Sequence, residues 1–287
     1  MLNRRATTLV ELLVALALAG VVLGTAMSSM LRQQRTHERI RAVSGADAQL
    51  RAATSVVAAQ LSLLDPAAGD LALGQADDTA LQFRAAVAVS LACGRSNGSV
   101  TLLPDSAGTP SFAGSASQPR SGDSLWWLGD SAWLGTRIGS VVREATSCTV
   151  PMSASGSALR LSLVGSGDSV PVGAALRVTR QTRYALYRSS DGSWQLGFRE
   201  WNDAGASFSA PQPVAGPFLL RSGGRRSGFR YFDEGGREFA TAGRAMDVTR
   251  VARIRITMQS LVAVREGSQD SVRTDSVDVA LHRAPEP

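Results

Sequence analysis

The sequence predicts an α+β protein in which a long N-terminal α-helix, half membrane-spanning and half amphipathic, packs on a mostly antiparallel β-sheet domain. Three observations predict it. Residues 12–31 carry no charge and are almost entirely apolar or small. Residues 32–64 contain no proline and place apolar side chains at helical spacing. From residue 66 onward the chain changes to alternating apolar patterns separated by Gly, Ser, Pro and Asp turns. A helix followed by a run of strands is the order that α+β domains adopt.

The first half of the helix is read from its length. An apolar run of about 20 residues spans a hydrocarbon core of about 30 Å, because each helical residue rises about 1.5 Å. Arg4 and Arg5 precede the run, and Arg32 closes it. Glu11 sits at its start. An ionisable group at that depth costs a few kcal/mol and calls for a partner. A cleaved secretory signal fits less well, since its apolar core runs about 7–15 residues and carries no acid. No cysteine lies before Cys93, which excludes a lipoprotein signal. Gly20 and Gly24 form a small-xxx-small pair suited to helix packing.

In the second half, residues 32–41 are polar and charged. Ile40, Val43, Leu50, Val57, Leu61 and Leu64 then recur at heptad-like spacing, interrupted by Asp47 and Thr54. That is an amphipathic helix with one face on a core. Asp65-Pro66 ends it, because a residue before proline is pushed out of the α region. A helix continuous over residues 7–64 is about 87 Å long.

The strands follow from alternation. Leu81, Phe83, Ala85, Val87, Val89, Leu91 and Cys93 place one face of a half-buried strand over residues 81–93. Further strands are expected at 99–103, 124–128, 158–164, 175–187, 194–201, 228–232, 251–262 and 272–282, with residues 104–122 and 153–173 as loops. Gly94-Arg95-Ser96-Asn97-Gly98 matches the Gly-x-Ser-x-Gly pattern of hydrolases. A nucleophile elbow leads from a strand into a helix, whereas residues 99–103 read as a strand, so a hairpin turn is expected. His37 and His282 are the chain's histidines, and neither sits beside Ser96 in sequence. No catalytic constellation, cofactor loop or metal-ligand spacing is recognised, so no enzyme activity and no cofactor are expected.

Residues 65–287 suffice for one sizeable core. Cys93 and Cys148 either pair or stay as buried free thiols; an extracytoplasmic location favours a disulfide. Pairing would stabilise by about 4 kcal/mol on the chain-entropy estimate. The net charge is +6 and every basic residue is arginine. Asp77 and Asp78 read as a solvated acidic pair. The clusters Arg221-Ser222-Gly223-Gly224-Arg225-Arg226 and Arg250 to Arg255 invite a nucleic-acid reading. In the second cluster arginines alternate with Ile254 and Ile256, as on the solvent face of a strand, so nucleic acid is not an expected partner.

The stretch Ala6-Thr7-Thr8-Leu9-Val10-Glu11-Leu12-Leu13-Val14-Ala15 resembles the class III leader of type IV pilins and type II secretion pseudopilins. The resemblance implies cleavage between Ala6 and Thr7 by prepilin peptidase, methylation of the new Thr7 terminus, and an assembly role for Glu11 as the fifth mature residue. In this family glycine usually stands where Ala6 does and phenylalanine where Thr7 does. Residues 214–236 followed by 251–262 are also similar to the carboxy-terminal pattern of PilW-type minor pilins and GspJ-type pseudopilins.

The implied organisation is a leader at 1–6, a transmembrane and assembly helix at 7–31, its amphipathic continuation at 32–64, and an extracytoplasmic globular domain at 65–287. The implied product is a structural subunit of the inner membrane, single-pass, assembled with other pilins into a pilus or pseudopilus, tip included. Losing Arg4 and Arg5 with the leader leaves a net charge of +4, that is 6 minus 2. Electrostatics supports the Glu11 role, since a buried amine and a buried carboxylate each relieve the other. The alternative expectation is an extracytoplasmic enzyme or ligand-binding domain on a plain membrane anchor.

Overall fold

In the computed structural model, residues 9–66, 69–71, 78–104, 113–114, 118–129, 132–148, 154–165, 169–222, 225–239, 248–262 and 271–281 are described. Among them the chain forms one α-helix, α1 (Leu9–Leu61), and fifteen strands. The strands are β1 (Ala80–Ser96), β2 (Ser99–Leu102), β3 (Ala113–Gly114), β4 (Ser124–Leu128), β5 (Trp133–Cys148), β6 (Ala154–Val164), β7 (Ala175–Arg188) and β8 (Trp194–Asn202). They continue with β9 (Ser207–Phe208), β10 (Gln212–Phe218), β11 (Arg221–Ser222), β12 (Arg225–Arg226), β13 (Gly228–Phe232), β14 (Arg253–Val262) and β15 (Ser271–Ala280). The chain divides into two units, residues 1–48 with 261–273, and residues 49–260 with 274–287. A long apolar N-terminal helix and a mostly antiparallel β domain are therefore present, as the α+β reading expects.

The β domain is organised around β7. Antiparallel pairings run β7–β1, β1–β2, β2–β6, β6–β5, β5–β4 and β4–β7, closing six strands into a ring. Closure removes unpaired edges where the six strands overlap, while β5 beyond Arg137 and β6 before Arg160 pair only with each other. The ring surrounds a core that includes Val100, Leu102, Leu125, Trp127, Ile138, Leu161, Leu176 and Val178. Beyond the ring β7 pairs with β8, and β8 with β10. This extension and the three-stranded sheet β13-β14-β15 share a second core with the end of α1. Leu50, Ala53, Val57 and Leu61 supply the helical stripe, packed with Phe83, Tyr184, Tyr231, Ile254 and Met258.

One bulge divides the two cores. β1 pairs with β7 throughout, but its register shifts between Ala86 and Ala88. Before the shift Leu81 and Phe83 enter the α1 core; after it Ala88 and Ala92 enter the ring core, while Val89 is exposed. A one-residue slip turns every later side chain to the opposite face. The expected odd-numbered face of residues 81–93 therefore holds only as far as Val87.

Other expectations differ at their edges. The helix ends at Leu61 instead of 64, because the amides of Leu63 and Leu64 bond three residues back, to Gln60 and Leu61, in a tightened last turn. Leu64 is buried all the same. Thr54, which interrupts the apolar stripe, lies buried with its hydroxyl 2.7 Å from the Asp275 carboxylate of β15. Strand β6 begins at Ala154, four residues before the strand expected at 158–164, so residues 154–157 of the expected 153–173 loop are extended backbone paired to β5. The strand expected at 251–262 starts at Arg253, after a 3₁₀ turn at Val248–Arg250. The long strand β5 was not expected at all; Gly135, Gly139, Arg137 and Arg143 give it no apolar alternation.

Two turns require their residues. Asn97 and Gly98 have φ of 46° and 73° between paired Ser96 and Ser99, the geometry of a two-residue primed hairpin. At Gly228 (φ 146°) a Cβ would fall 1.7 Å from the Asp78 carbonyl, so only glycine admits that crossing. Cys93 and Cys148 form a disulfide with Cα atoms 5.4 Å apart, joining the later part of β1 to the end of β5.

Burial pushes the Tyr184 phenol up to about 12 from 10. A group whose folded pKa is raised stabilises the fold fully below its unfolded value and loses that contribution as pH rises through the folded one. Tyr184→Phe should therefore flatten the loss of stability between pH 10 and 12 relative to wild type, read as the Tm difference across that range. An unchanged difference would show that Tyr184 ionises freely in the folded protein.

Candidate functional site

The expected processing pair, Ala6 and Thr7, lies outside the described residues. Glu11 stands in the first described turn of α1 and is exposed. Behind it Leu12, Leu13, Val14, Leu16, Leu18, Val21, Val22, Leu23, Met27, Met30 and Leu31 are between 45 and 69% exposed. An unbroken apolar surface of that extent exceeds the few hundred Å² that soluble monomers tolerate. The helix is long and apolar enough to cross a membrane. Within it Thr25 donates to the Val22 carbonyl and Ser28 to the Thr25 carbonyl, each at 2.9 Å. Hydrocarbon demands that internal pairing. At Gly20 and Gly24 an added Cβ would meet nothing, so packing within this chain does not require either glycine.

The β domain builds two buried ionic centres that the sequence reading missed. The first lies where β4 and β8 part company along β7: β4 pairs as far as Thr179, and β8 begins at Thr182. At that fork Arg180 is 4% exposed and Asp123 2%. Arg180 Nε and Nη2 donate to the two Asp123 oxygens at 2.7 and 2.9 Å, Nη1 to Glu200 at 3.1 Å, and Nη2 also to the Gln118 carbonyl at 3.0 Å. Arg120 adds a bond to the other Glu200 oxygen at 3.1 Å. Burial pulls the Arg180 guanidinium down, but hydrogen bonds and charge from Asp123 and Glu200 outweigh it and leave the pKa raised. Outside this pair an open cleft of about 400 Å³ is lined by Arg120, Glu200, Asn202 and Asp203, and Arg137 holds Asp203 at 3.1 Å.

The second centre ties the segment after α1 to the sheet. Asp70, 2% exposed, receives Arg177 Nη2 at 2.7 Å and the Asp65 amide at 2.9 Å. Arg84 donates to the Gly69 carbonyl at 2.8 Å and lies over the Trp126 ring. A pattern cue existed for the first centre. Leu176, Val178, Tyr184 and Leu186 define the even face of β7, and Arg180 lies on that same face. An arginine on a strand's buried face requires a buried acid.

The remaining motifs resolve into local structure. Gly94 to Gly98 is a hairpin turn between two strands and lacks the strand-to-helix turn of a nucleophile elbow. His37 is in α1, and His282 and Asp77 lie outside the described residues. Arg226 pairs with Asp78. Arg255 forks onto Asp278 at 2.6 and 2.8 Å, and Arg253 and Arg255 lie over the Phe232 ring. The bond from Arg255 holds the Asp278 carboxyl below its usual range. Arg253 and Arg255 are thus engaged within the solvent face of β14, as their alternation with Ile254 and Ile256 predicts. Among the described residues no three His, Cys, Asp or Glu side chains gather as metal ligands.

The described features define a class in coarse terms: a β-rich, disulfide-bearing domain behind a single exposed apolar helix. No family model, no curated protein and no solved structure matches the chain.

Removing one member of a buried pair strands the other's charge, typically at about 3–5 kcal/mol. Arg180→Ala should lower stability in urea by about 3 kcal/mol or more. Arg180→Lys should recover only part, because an ammonium cannot fork onto both Asp123 oxygens. The double variant Arg180→Met/Asp123→Leu should be markedly more stable than Arg180→Ala. Equal stability of Arg180→Ala and wild type would remove this pair from the core.

Proposed function

We propose that this chain is a minor pilin or pseudopilin: a precursor inserted in the inner membrane, cut after Ala6, methylated on Thr7, and assembled through its helix into a filament. The observation that carries the reading is the exposed helix whose residues 12–31 carry no charge, with an acid in its first described turn. A plain anchor needs the apolar length but has no use for Glu11, whereas an assembling helix does. In that reading the Glu11 carboxylate meets the Thr7 amine of a neighbouring subunit, and pairing relieves the desolvation of both charges. The side opposite the leader is oxidising, which the Cys93–Cys148 disulfide supports.

Orientation needs this support, because charge alone is ambiguous. Arg4 and Arg5 precede the apolar run, but Arg32, Arg35, Arg39 and Arg41 follow it. The positive-inside rule taken alone favours the richer flank as cytoplasmic. The Cys93–Cys148 disulfide supports the opposite orientation, with the globular domain on the non-cytoplasmic side.

Mass spectrometry of the protein extracted from membranes tests the processing. The expected mature chain begins at a methylated Thr7; an intact Met1 overturns the proposal. Glu11→Ala should insert into the membrane as wild type does yet be excluded from filaments, scored by the amount in sheared filament fractions. Normal incorporation of that variant would remove the assembly role from Glu11.

A further inference from the structure

We propose that Arg32, Arg35 and Arg39 form a docking stripe for anionic phospholipid headgroups on the leaflet nearest the globular domain. The proposal rests on the membrane-spanning reading of residues 12–31 and assigns a partner to the segment beyond it.

The stripe follows from helix geometry. At 100° per residue, positions 32, 35 and 39 fall within an arc of about 60°, while Arg41 lies about 180° from Arg32. All four arginines are exposed. Several arginines of the β domain are held in ion pairs, as at Arg120, Arg137, Arg160, Arg177, Arg180 and Arg255. Among the described residues no ion pair involves Arg32, Arg35 or Arg39, although Glu38 lies three residues from Arg35. The segment 32–41 holds four arginines and one glutamate, a net charge of +3. It therefore presents a concentrated, uncompensated charge directly beside an apolar run.

The distances suit a headgroup layer. Arg35 lies about 4.5 Å and Arg39 about 10 Å beyond Arg32 along the helix. The polar layer of a bilayer is about 5–8 Å thick on each side. Helical side chains tilt towards the N-terminus, so Arg39 reaches back towards the bilayer. Long arginine stems can lie along apolar surface while the guanidinium meets the interface. A guanidinium is weakly hydrated and its planar fork matches phosphate oxygens, so a phosphodiester bearing net negative charge is the fitting partner. Such a contact also offsets the penalty of holding a basic flank on the non-cytoplasmic side.

Native mass spectrometry of the full-length chain in nonionic detergent, with equal amounts of phosphatidylglycerol and phosphatidylcholine, tests the stripe. Each arginine near an anionic surface contributes up to about fivefold, so wild type should retain phosphatidylglycerol over phosphatidylcholine by about tenfold or more. R32Q/R35Q/R39Q should bring the two lipids near parity, and R41Q should keep most of the preference. Raising the salt should weaken the wild-type preference, a reading independent of any variant. Parity in wild type, a preference unchanged in the triple variant, or insensitivity to salt overturns the proposal. So does a triple variant that keeps its lipid preference while losing neighbouring subunits in co-purification, which would make the stripe a protein contact. Carbonate extraction separates the premises: release of the chain overturns the spanning reading and this proposal together. An inserted chain without lipid preference overturns the stripe alone.

Discussion

Much of the β domain depends on how one strand is shared. β7 belongs to a closed ring through β1 and β4, and to an open extension through β8. Two partners on the same edge of a strand must separate somewhere, and where they do, backbone groups and inward-facing positions lose their neighbours. Arg180 occupies that fork. Its guanidinium carries five donors in a rigid plane, and four of its contacts reach Asp123, Glu200 and Gln118. The segment before β4, the strand β8 and the centre of β7 are thereby held by one side chain. A buried apolar residue could fill the same volume, but it could not satisfy the Asp123 carboxylate, which also accepts the Arg120 amide at 2.9 Å.

A second constraint works by displacement. Between Ala86 and Ala88 β1 gains one residue against β7 and switches its inward face. The strand can then contribute Phe83 to one core and Ala92 to another without crossing the sheet. Bulge and fork lie on neighbouring strands close to the same level, since Ala85 pairs with Arg180 and Ala86 with Thr179. The domain changes from ring to open layer at that level, and both features serve the change.

This explains which parts were legible in the sequence. Strands β4 and β13 match their expected limits, because Leu125 and Trp127, or Phe229 and Tyr231, alternate within short segments bounded by turns. The turn at Asn97-Gly98 is legible for the same local reason. The bulge in β1 is not, since Ala85, Ala86 and Ala88 look alike in any register. Strand β5 is not either: it is exposed along most of its length, and its membership is decided by pairing with β4 and β6. The ionic centres join residues 57 and 107 positions apart, Asp123 with Arg180 and Asp70 with Arg177. No spacing rule reports such pairs, although Arg180 on the apolar face of β7 marks one end. The apolar helix is the converse case, legible throughout because composition alone decides it.

The amphipathic end of α1 and its apolar beginning solve different problems with one secondary structure. From Leu50 to Leu61 the helix buries a narrow stripe, and even its polar interruption, Thr54, finds Asp275. From Leu12 to Leu31 no comparable face exists, because apolar side chains point in every direction. A helix that buries one stripe needs a sheet; a helix apolar all round needs a surrounding medium. The boundary falls at Arg32, where charge returns at once and, among the described residues, without an ion pair at Arg32, Arg35 or Arg39. The helix is half-buried at Val43, Ala46 and Asp47 and fully buried from Leu50, after a polar stretch that includes Arg35, Arg39 and Arg41. Along the helix surface this stretch is exposed at every residue from Arg32 to Ala42, so its side chains there answer to neither the apolar pattern before it nor the buried stripe after it.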